Sequence, residues 1–220
     1  MSLATCIDKG AVQEFFDRLA PTWDEHLIID PQKMDRILDA ARIGCGTDVL
    51  DIACGTGVMI DFYLHRGARH VTAIDLSQNM TSICKEHFEK CARVDVVLGD
   101  ASLYDFGRSF DAVMVFNAFP HFADQAALLS HLAQFVRPGG TLSVAHDMGR
   151  KQLDAHHTGV ASAVSCGMIH EDDLVELLPG NFKVVSKVSE PGIFYVSAER
   201  LESSVPFYNP AVAQRFALAV

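Results

Sequence analysis

The sequence predicts an α/β chain: a doubly wound, mostly parallel sheet with a C-terminal antiparallel hairpin at its edge. Three observations carry this. Between residues 47 and 147, five apolar, β-branched runs alternate with segments of helical period. The run FDAVMVFNAF is apolar at almost every position, as a strand covered on both faces must be. FKVVSKVSE and GIFYVSAER are separated only by Pro191-Gly192, the spacing of an antiparallel turn. Strands and helices alternating at this length specify a parallel sheet with right-handed crossovers.

Each element has a local reason. In KGAVQEFFDRLAPTWDEHL, Val12, Phe15, Phe16 and Leu19 share one helical face before Pro21 stops the helix. A second amphipathic helix covers 31–41. The first strand is 47–52; Gly55-Thr56-Gly57 turns the chain into a helix from Val58 to Arg66. HVTAIDL (70–76) is the second strand. The helical segment NMTSICKEHFEKCA follows it and puts Cys84 and Cys91 on one face as small buried hydrophobes. VDVVLGD (94–100) and FDAVMVFNAF (110–119) are the third and fourth strands. QAALLSHLAQFV is a helix closed by the turn RPGG, and TLSVAHD is the fifth strand. HEDDLVELL is a helix with an acidic first turn, where carboxylates oppose the positive end of the helix dipole.

Charge and cysteine usage narrow the function. The 18 Lys and Arg against 28 Asp and Glu give a net charge of −10, a field that repels a phosphate backbone, and no basic patch breaks it. Nucleic acid is therefore not expected as a partner. The six cysteines form no Cys-x-x-Cys pair, no secretory leader opens the chain, and no apolar run approaches the roughly 20 residues that span a bilayer. The expectation is a cytoplasmic protein with reduced thiols and no membrane partner. The apolar tail LESSVPFYNPAVAQRFALAV favours a second subunit, as in a homodimer, to cover it.

In open α/β sheets, ligands settle beyond the carboxyl ends of the strands. Here those ends carry Asp51 to Gly57, Asp75, Asp100, Asn117 to His121, and His146 with Asp147. Gly55 and Gly57 allow a tight turn and leave backbone bare toward a ligand. A dinucleotide fingerprint would place a third small residue where this chain has Ile60. Asp51 is a strand-end acid with no Lys or Arg beside it in sequence, and such a group asks for a cationic partner. Carboxylates at three strand ends suit a ligand that carries positive charge and no phosphate.

S-adenosylmethionine is such a ligand, and VLDIACGTG resembles motif I of the class I S-adenosylmethionine-dependent methyltransferases, with Ala53 where the first glycine commonly stands. The other motifs follow in order. Asp75 in AIDLS matches the acid that takes both ribose hydroxyls, and Asp100 in GDA matches the residue that accepts from the adenine amino group, with the backbone of Ala101 nearby. FDAVMVFNAFPHF resembles the fourth-strand motif and VRPGGTL the turn before strand five. The resemblance covers residues 14–199 and implies a Rossmann-like fold with S-adenosylmethionine as cofactor and a small-molecule acceptor. Its implied cofactor set is Trp23, Asp51, Ala53, Gly55, Gly57, Asp75, Leu76, Met80, Asp100, Ala101 and Asn117. FFDRLAPTWDEH further resembles the opening of the ubiquinone- and menaquinone-biosynthesis C-methyltransferases. There Trp23 would close over cofactor or substrate; plain core is its other reading, as it is for Met80.

The implied domain is a single unit over 1–220: an N-terminal helical cap (1–46), a cofactor-binding core (47–147), an acceptor-side segment with the terminal hairpin (148–200) and a tail (201–220). Methyl transfer from a sulfonium is an in-line displacement, so the protein mainly aligns the nucleophile, and a base is needed only where the nucleophile must lose a proton. His121, His146 and His157 are the candidates on the acceptor side. His146 and His157 could converge as a base or as metal ligands, or make unrelated local hydrogen bonds; no metal is assigned. Two other classes stay open: a non-catalytic S-adenosylmethionine-binding protein, and a nicotinamide-dependent oxidoreductase, which Ile60 and Asp100 disfavour.

Overall fold

The computed structural model describes residues 7–150, 152 and 164–202. Seven strands form one sheet: β1 (Asp48–Ile52), β2 (His70–Asp75), β3 (Val94–Leu98), β4 (Phe110–Phe116), β5 (Val136–His146), β6 (Phe182–Glu190) and β7 (Ile193–Arg200). Their order is β3-β2-β1-β4-β5-β7-β6. The first five pair in parallel, and β7 runs antiparallel to both β5 and β6. Helices α1 (Lys9–Leu19), α2 (Pro31–Ala40), α3 (Ile60–His65), α4 (Gln78–His87), α5 (Gln125–Leu132) and α6 (Glu171–Leu177) accompany it. No helix among the described residues is long and apolar enough to cross a membrane.

The sheet has a core on each face. Leu50, Ile52, Val113 and Val115 pack with Leu128, Leu129 and Leu174, while the alternate residues Val49, Ala112 and Met114 pack with Met34, Ile37 and Tyr63. A strand's side chains alternate between faces, so burying both faces makes every position apolar, and that is why β1 and β4 read as continuous runs. Helix starts are fixed locally. Asp8, Asp30, Ser77 and Asp124 each stand at an N-cap and accept from first-turn N–H groups of α1, α2, α4 and α5.

Some boundaries differ from the sequence expectation. β4 ends at Phe116, and Phe119–His121 form a 3₁₀ turn in place of strand. RPGG lies inside β5, as an irregularity in its pairing with β4: Phe110 faces Val136, but Ala112 already faces Thr141. There a Cβ on Gly140 would meet the carbonyl oxygen of Asp111 at 2.7 Å, so the strands can approach only with glycine. α3 begins at Ile60 instead of Val58, and α4 ends at His87, where Phe88 leaves helical geometry (φ −110°, ψ 16°). Cys91 therefore does not share a helix face with Cys84.

At the opposite end of the sheet from the strand carboxyl termini, the buried Asp48 is held by three arginines. Arg69 is 2.5 Å from its Oδ2, and Arg108 and Arg137 are each 2.9 Å away. The Arg69 hydrogen bonds, then Arg137 and the field of Arg108, overcome desolvation and hold the Asp48 carboxyl far below the usual carboxylate range.

Candidate functional site

Strand order reverses between β1 and β4, and there the carboxyl ends of the strands open into a cavity of about 840 Å³, roofed by α1 and the chain from Thr22 to Ile29. The volume is near the top of the roughly 300–1,000 Å³ of small-molecule sites, room for more than one compact ligand. Three residues at the reversal or just beyond the strands adopt left-handed backbone: Ala53 (φ 55°), Gly55 (φ 57°) and Asn117 (φ 51°). Such geometry is rare outside glycine and is concentrated at functional sites. A Cβ on Gly55 would have only Trp23 Nε1, at 4.0 Å, as neighbour, so the turn presents bare backbone to the cavity beneath Trp23.

Asp51 is 2% exposed on the cavity wall. Its Oδ1 accepts from the Tyr63 hydroxyl at 3.1 Å, and its Oδ2 has no partner. Burial pushes the carboxyl up to about 7 against the Tyr63 hydrogen bond, and the Asp75 charge adds to the rise. An orphaned buried carboxylate oxygen facing a cavity is a group waiting for a donor.

Asp75 ends β2. Gly55 N–H donates to its Oδ2 at 2.9 Å and Ser77 N–H to its Oδ1 at 2.8 Å, which ties the glycine turn to the second strand. Burial raises its pKa, and those two N–H groups moderate the rise. Each oxygen retains lone-pair capacity for a further donor. Leu76 and Met80 line the same wall, Met80 only 1% exposed. Asp100, after β3, takes Lys9 Nζ at 2.5 Å on Oδ2 and Ser102 N–H at 2.9 Å on Oδ1, beside Ala101. Desolvation works upward on Asp100, but Lys9 and Ser102 outweigh it and hold its pKa below the ordinary value.

The roof is fastened at three points, each to a different strand-end loop. Besides Lys9 on Asp100, Asp17 accepts from Ser77 Oγ (2.5 Å) and Asn79 N–H (2.9 Å), and Asp24 accepts from Thr56 Oγ1 (2.6 Å). Phe16 meets Trp23 edge-on at 5.8 Å and His121 at 5.1 Å, so the aromatic roof leans directly on the fourth-strand loop. His121 lies on the wall with Nδ1 2.7 Å from the Val164 carbonyl. A carbonyl only accepts, so Nδ1 carries the hydrogen and the lone pair of the neutral ring sits on Nε2. Asn117 Nδ2 donates to Asp147 Oδ1 (3.0 Å) and the Asp147 N–H returns a bond to Asn117 Oδ1 (3.1 Å), holding Asp147 on the wall.

Two expected residues are not on the wall. Gly57 lies behind it: with φ 95°, its Cβ would come within 2.7 Å of Phe88 and 2.9 Å of Cys84 Sγ, so its bareness serves packing against α4 and not a ligand. His146, 1% exposed, faces Phe194 edge-on inside the sheet's packing, and the β5 end presents Asp147 and Met148 to the cavity instead. The alternation of a strand decides this, because a one-residue step turns a side chain to the other face. His157 lies outside the described residues.

Sequence reasoning missed Lys9 and Tyr63 as site members, and at the end of β5 it chose His146 over its neighbour Asp147. Tyr63 had a signal: a tyrosine on the buried face of α3 needs a partner for its hydroxyl. Lys9, 91 positions from Asp100, had none.

Residues 49–140 match a family model described as a methyltransferase domain. The ubiquinone biosynthesis O-methyltransferase of Aromatoleum aromaticum is 36% identical over 142 residues, 60% of this chain and 60% of that protein. The chain spans about three fifths of the length of the ubiquinone-biosynthesis relatives it matches. Among solved structures, the N-methyltransferase NodS of Bradyrhizobium japonicum with S-adenosyl-L-homocysteine superposes with a TM-score of 0.69 at 13% identity, covering 87% of this chain and 100% of that one. The [4+2]-cyclase SpnF superposes with a TM-score of 0.70 at 15% identity over 87% and 96%. At such identities the likeness is one of fold, and it spans more than one reaction.

Proposed function

We propose that the chain is a class I S-adenosylmethionine-dependent methyltransferase that transfers the methyl group of S-adenosylmethionine to a small-molecule acceptor, leaving S-adenosylhomocysteine; the methyltransferase-domain match over 49–140 and the similarity to ubiquinone-biosynthesis O-methyltransferases support this. The observation that carries the reading is Asp51 Oδ2, a buried and unpartnered carboxylate oxygen on the wall of a cavity otherwise framed by Asp75 and Asp100. A phosphate-bearing coenzyme would be repelled there. A nucleoside with an ammonium and a sulfonium supplies the missing donor and neutralises the acids.

The residues fit that cofactor. Asp51 would hold its ammonium, Asp75 its ribose diol and Asp100 its adenine amino group, with Leu76, Met80, Ala101 and Asn117 completing the wall and Gly55 leaving room for close backbone approach. When bound, S-adenosylmethionine supplies an electrophilic methyl carbon on a leaving group that needs no acid. The protein's own work is alignment and exclusion of water, which the aromatic roof of Phe16 and Trp23 performs. His121, with its lone pair on Nε2, takes the acceptor's proton where the nucleophile carries one. The similarity to ubiquinone-biosynthesis O-methyltransferases supports an oxygen nucleophile. The cytoplasm and a homodimer are the compartment and assembly we assign, on the strength of the cysteine pattern and the apolar tail.

Calorimetric titration with S-adenosylmethionine, S-adenosylhomocysteine and NAD tests the premise. The first two are expected to bind and NAD is not; capture of NAD alone would overturn it. Release of S-adenosylhomocysteine across a panel of small hydroxyl, amine and thiol compounds then identifies the acceptor.

A further inference from the structure

Resting on that reading, we propose that the acceptor is an apolar molecule free of anionic groups, neutral or cationic, and that Asp147 sets this preference. Most of the cofactor residues sit at the ends of β1, β2 and β3, on one side of the reversal point, with Asn117 after β4 at the border; the other half of the cavity is made by the loops after β4 and β5 and by the roof. That acceptor half is walled by Phe15, Phe16, Trp23, Leu27 and Phe122. Its titratable groups among the described residues are His121, Asp124 and Asp147. Asp124 is committed through Oδ1 to capping α5, and Asp147 is fixed by its two hydrogen bonds with Asn117.

Among the described residues lining the cavity, the only lysine or arginine is Lys9, and its ammonium lies 2.5 Å from Asp100, in the cofactor half. An acceptor carboxylate or phosphate entering the other half would lose water and meet two carboxylates, with no guanidinium or ammonium among the described residues there. Like charges brought together in a partly desolvated site discriminate strongly between otherwise equal ligands. A hydroxyl or ammonium would instead donate to Asp147. The bonds from Asn117 matter because they keep the carboxylate facing inward instead of swinging to solvent.

The test uses the protein loaded with S-adenosylhomocysteine and three catechols of matched shape: 4-methylcatechol (neutral), dopamine (cationic) and 3,4-dihydroxybenzoate (anionic). Trp23 is the single tryptophan of the chain and lies on the cavity wall, so its emission reports occupancy. The neutral and cationic probes are expected to bind at least about tenfold more tightly than the anionic one, with the gap narrowing as salt screens the field. Asp147→Asn keeps the side-chain shape and is expected to shrink the gap several-fold; because its partner Asn117 belongs to the cofactor wall, every probe is titrated at saturating S-adenosylhomocysteine. Equal binding of all three probes, refusal of all three, or a gap unchanged in Asp147→Asn would each overturn the assignment. Failure to load S-adenosylhomocysteine in the first place would count against the methyltransferase reading instead.

Discussion

Replacing Asp51 by asparagine separates what this residue does for binding from what it costs the fold. A charge-assisted hydrogen bond to an ammonium contributes about 1.5–3 kcal/mol, so Asp51→Asn is expected to weaken S-adenosylmethionine binding by about 10- to 150-fold. The wild type carries an additional signature. With its carboxyl at about 7 in the unliganded protein, Asp51 must ionise before it can hold a cation. Two pH units below that value only about one molecule in a hundred is ionised, so apparent affinity falls about a hundredfold, and above pH 8 it levels off. Calorimetry in two buffers of different ionisation enthalpy should register close to one proton released per cofactor bound near pH 6, and none in Asp51→Asn. A wild-type affinity that stays flat between pH 5.5 and 8.5, or an asparagine variant that binds as tightly as wild type, would refute the assignment of Asp51 to the ammonium.

The stability change has the opposite sign. Asp51 is raised from 3.8 to about 7 on folding, so its contribution is fully favourable below the unfolded value and is lost as pH rises through 7. Above pH 7 the unliganded protein carries a buried charge at a cost of about 4 kcal/mol. The asparagine amide returns part of this as its own unpaired burial, about 1–3 kcal/mol, leaving a net gain of roughly 2 kcal/mol. For a chain of this size that raises Tm by roughly 4–8 °C in a thermal melt at pH 8. A variant that is more stable and binds worse is the expected mark of a site held in readiness for a cation.

Asp75→Ala removes the acceptor of both Gly55 and Ser77 N–H groups along with the proposed ribose partner; calorimetry should show S-adenosylmethionine binding reduced by at least about a hundredfold. His121→Gln should leave cofactor affinity unchanged and lower kcat by about 10²–10⁴ once an acceptor is found, measured as S-adenosylhomocysteine release. Asp48→Ala removes the carboxylate shared by three arginines far from the cavity and should destabilise the fold by about 2 kcal/mol, less than a fully buried pair because the guanidiniums are partly in solvent and Arg137 keeps Asp111. Because the Asp48 carboxyl is held low, that contribution is full above the ordinary carboxylate range and is lost only as pH falls through its lowered value; urea melts should therefore show the whole gap between wild type and variant at pH 7 and a smaller, surviving gap at pH 3.

The sheet was legible because strands buried on both faces leave an unmistakable run; β2 ends in Asp75, and β1 and β4 end just before Ala53 and Asn117, whose left-handed backbone breaks the strand. The helices α2 and α5 were legible from their period, and the structure supplies the local reason for their starts in the N-caps Asp30 and Asp124. The places where the reading slipped are those where a neighbour in space overruled the local preference. RPGG carries turn chemistry, yet β4 draws it into β5 around a glycine that lets two backbones touch; Gly57 belongs to a ligand-type motif, yet Phe88 and Cys84 claim the space a side chain would need.

Composition and periodicity by themselves determined the α/β class, the strand ends that carry chemistry and the preference for a ligand with positive charge and no phosphate, because these follow from residue types and local pattern along the chain; the nucleoside itself is what the resemblance of the motifs implies. Only the tertiary structure decided that Lys9 closes on Asp100, that Tyr63 satisfies one oxygen of Asp51 and leaves the other open, and that Asp147 rather than His146 faces the acceptor half. Those pairings join residues up to 91 positions apart, and which of two adjacent side chains enters a cavity depends on the register of a strand against partners that local sequence does not name.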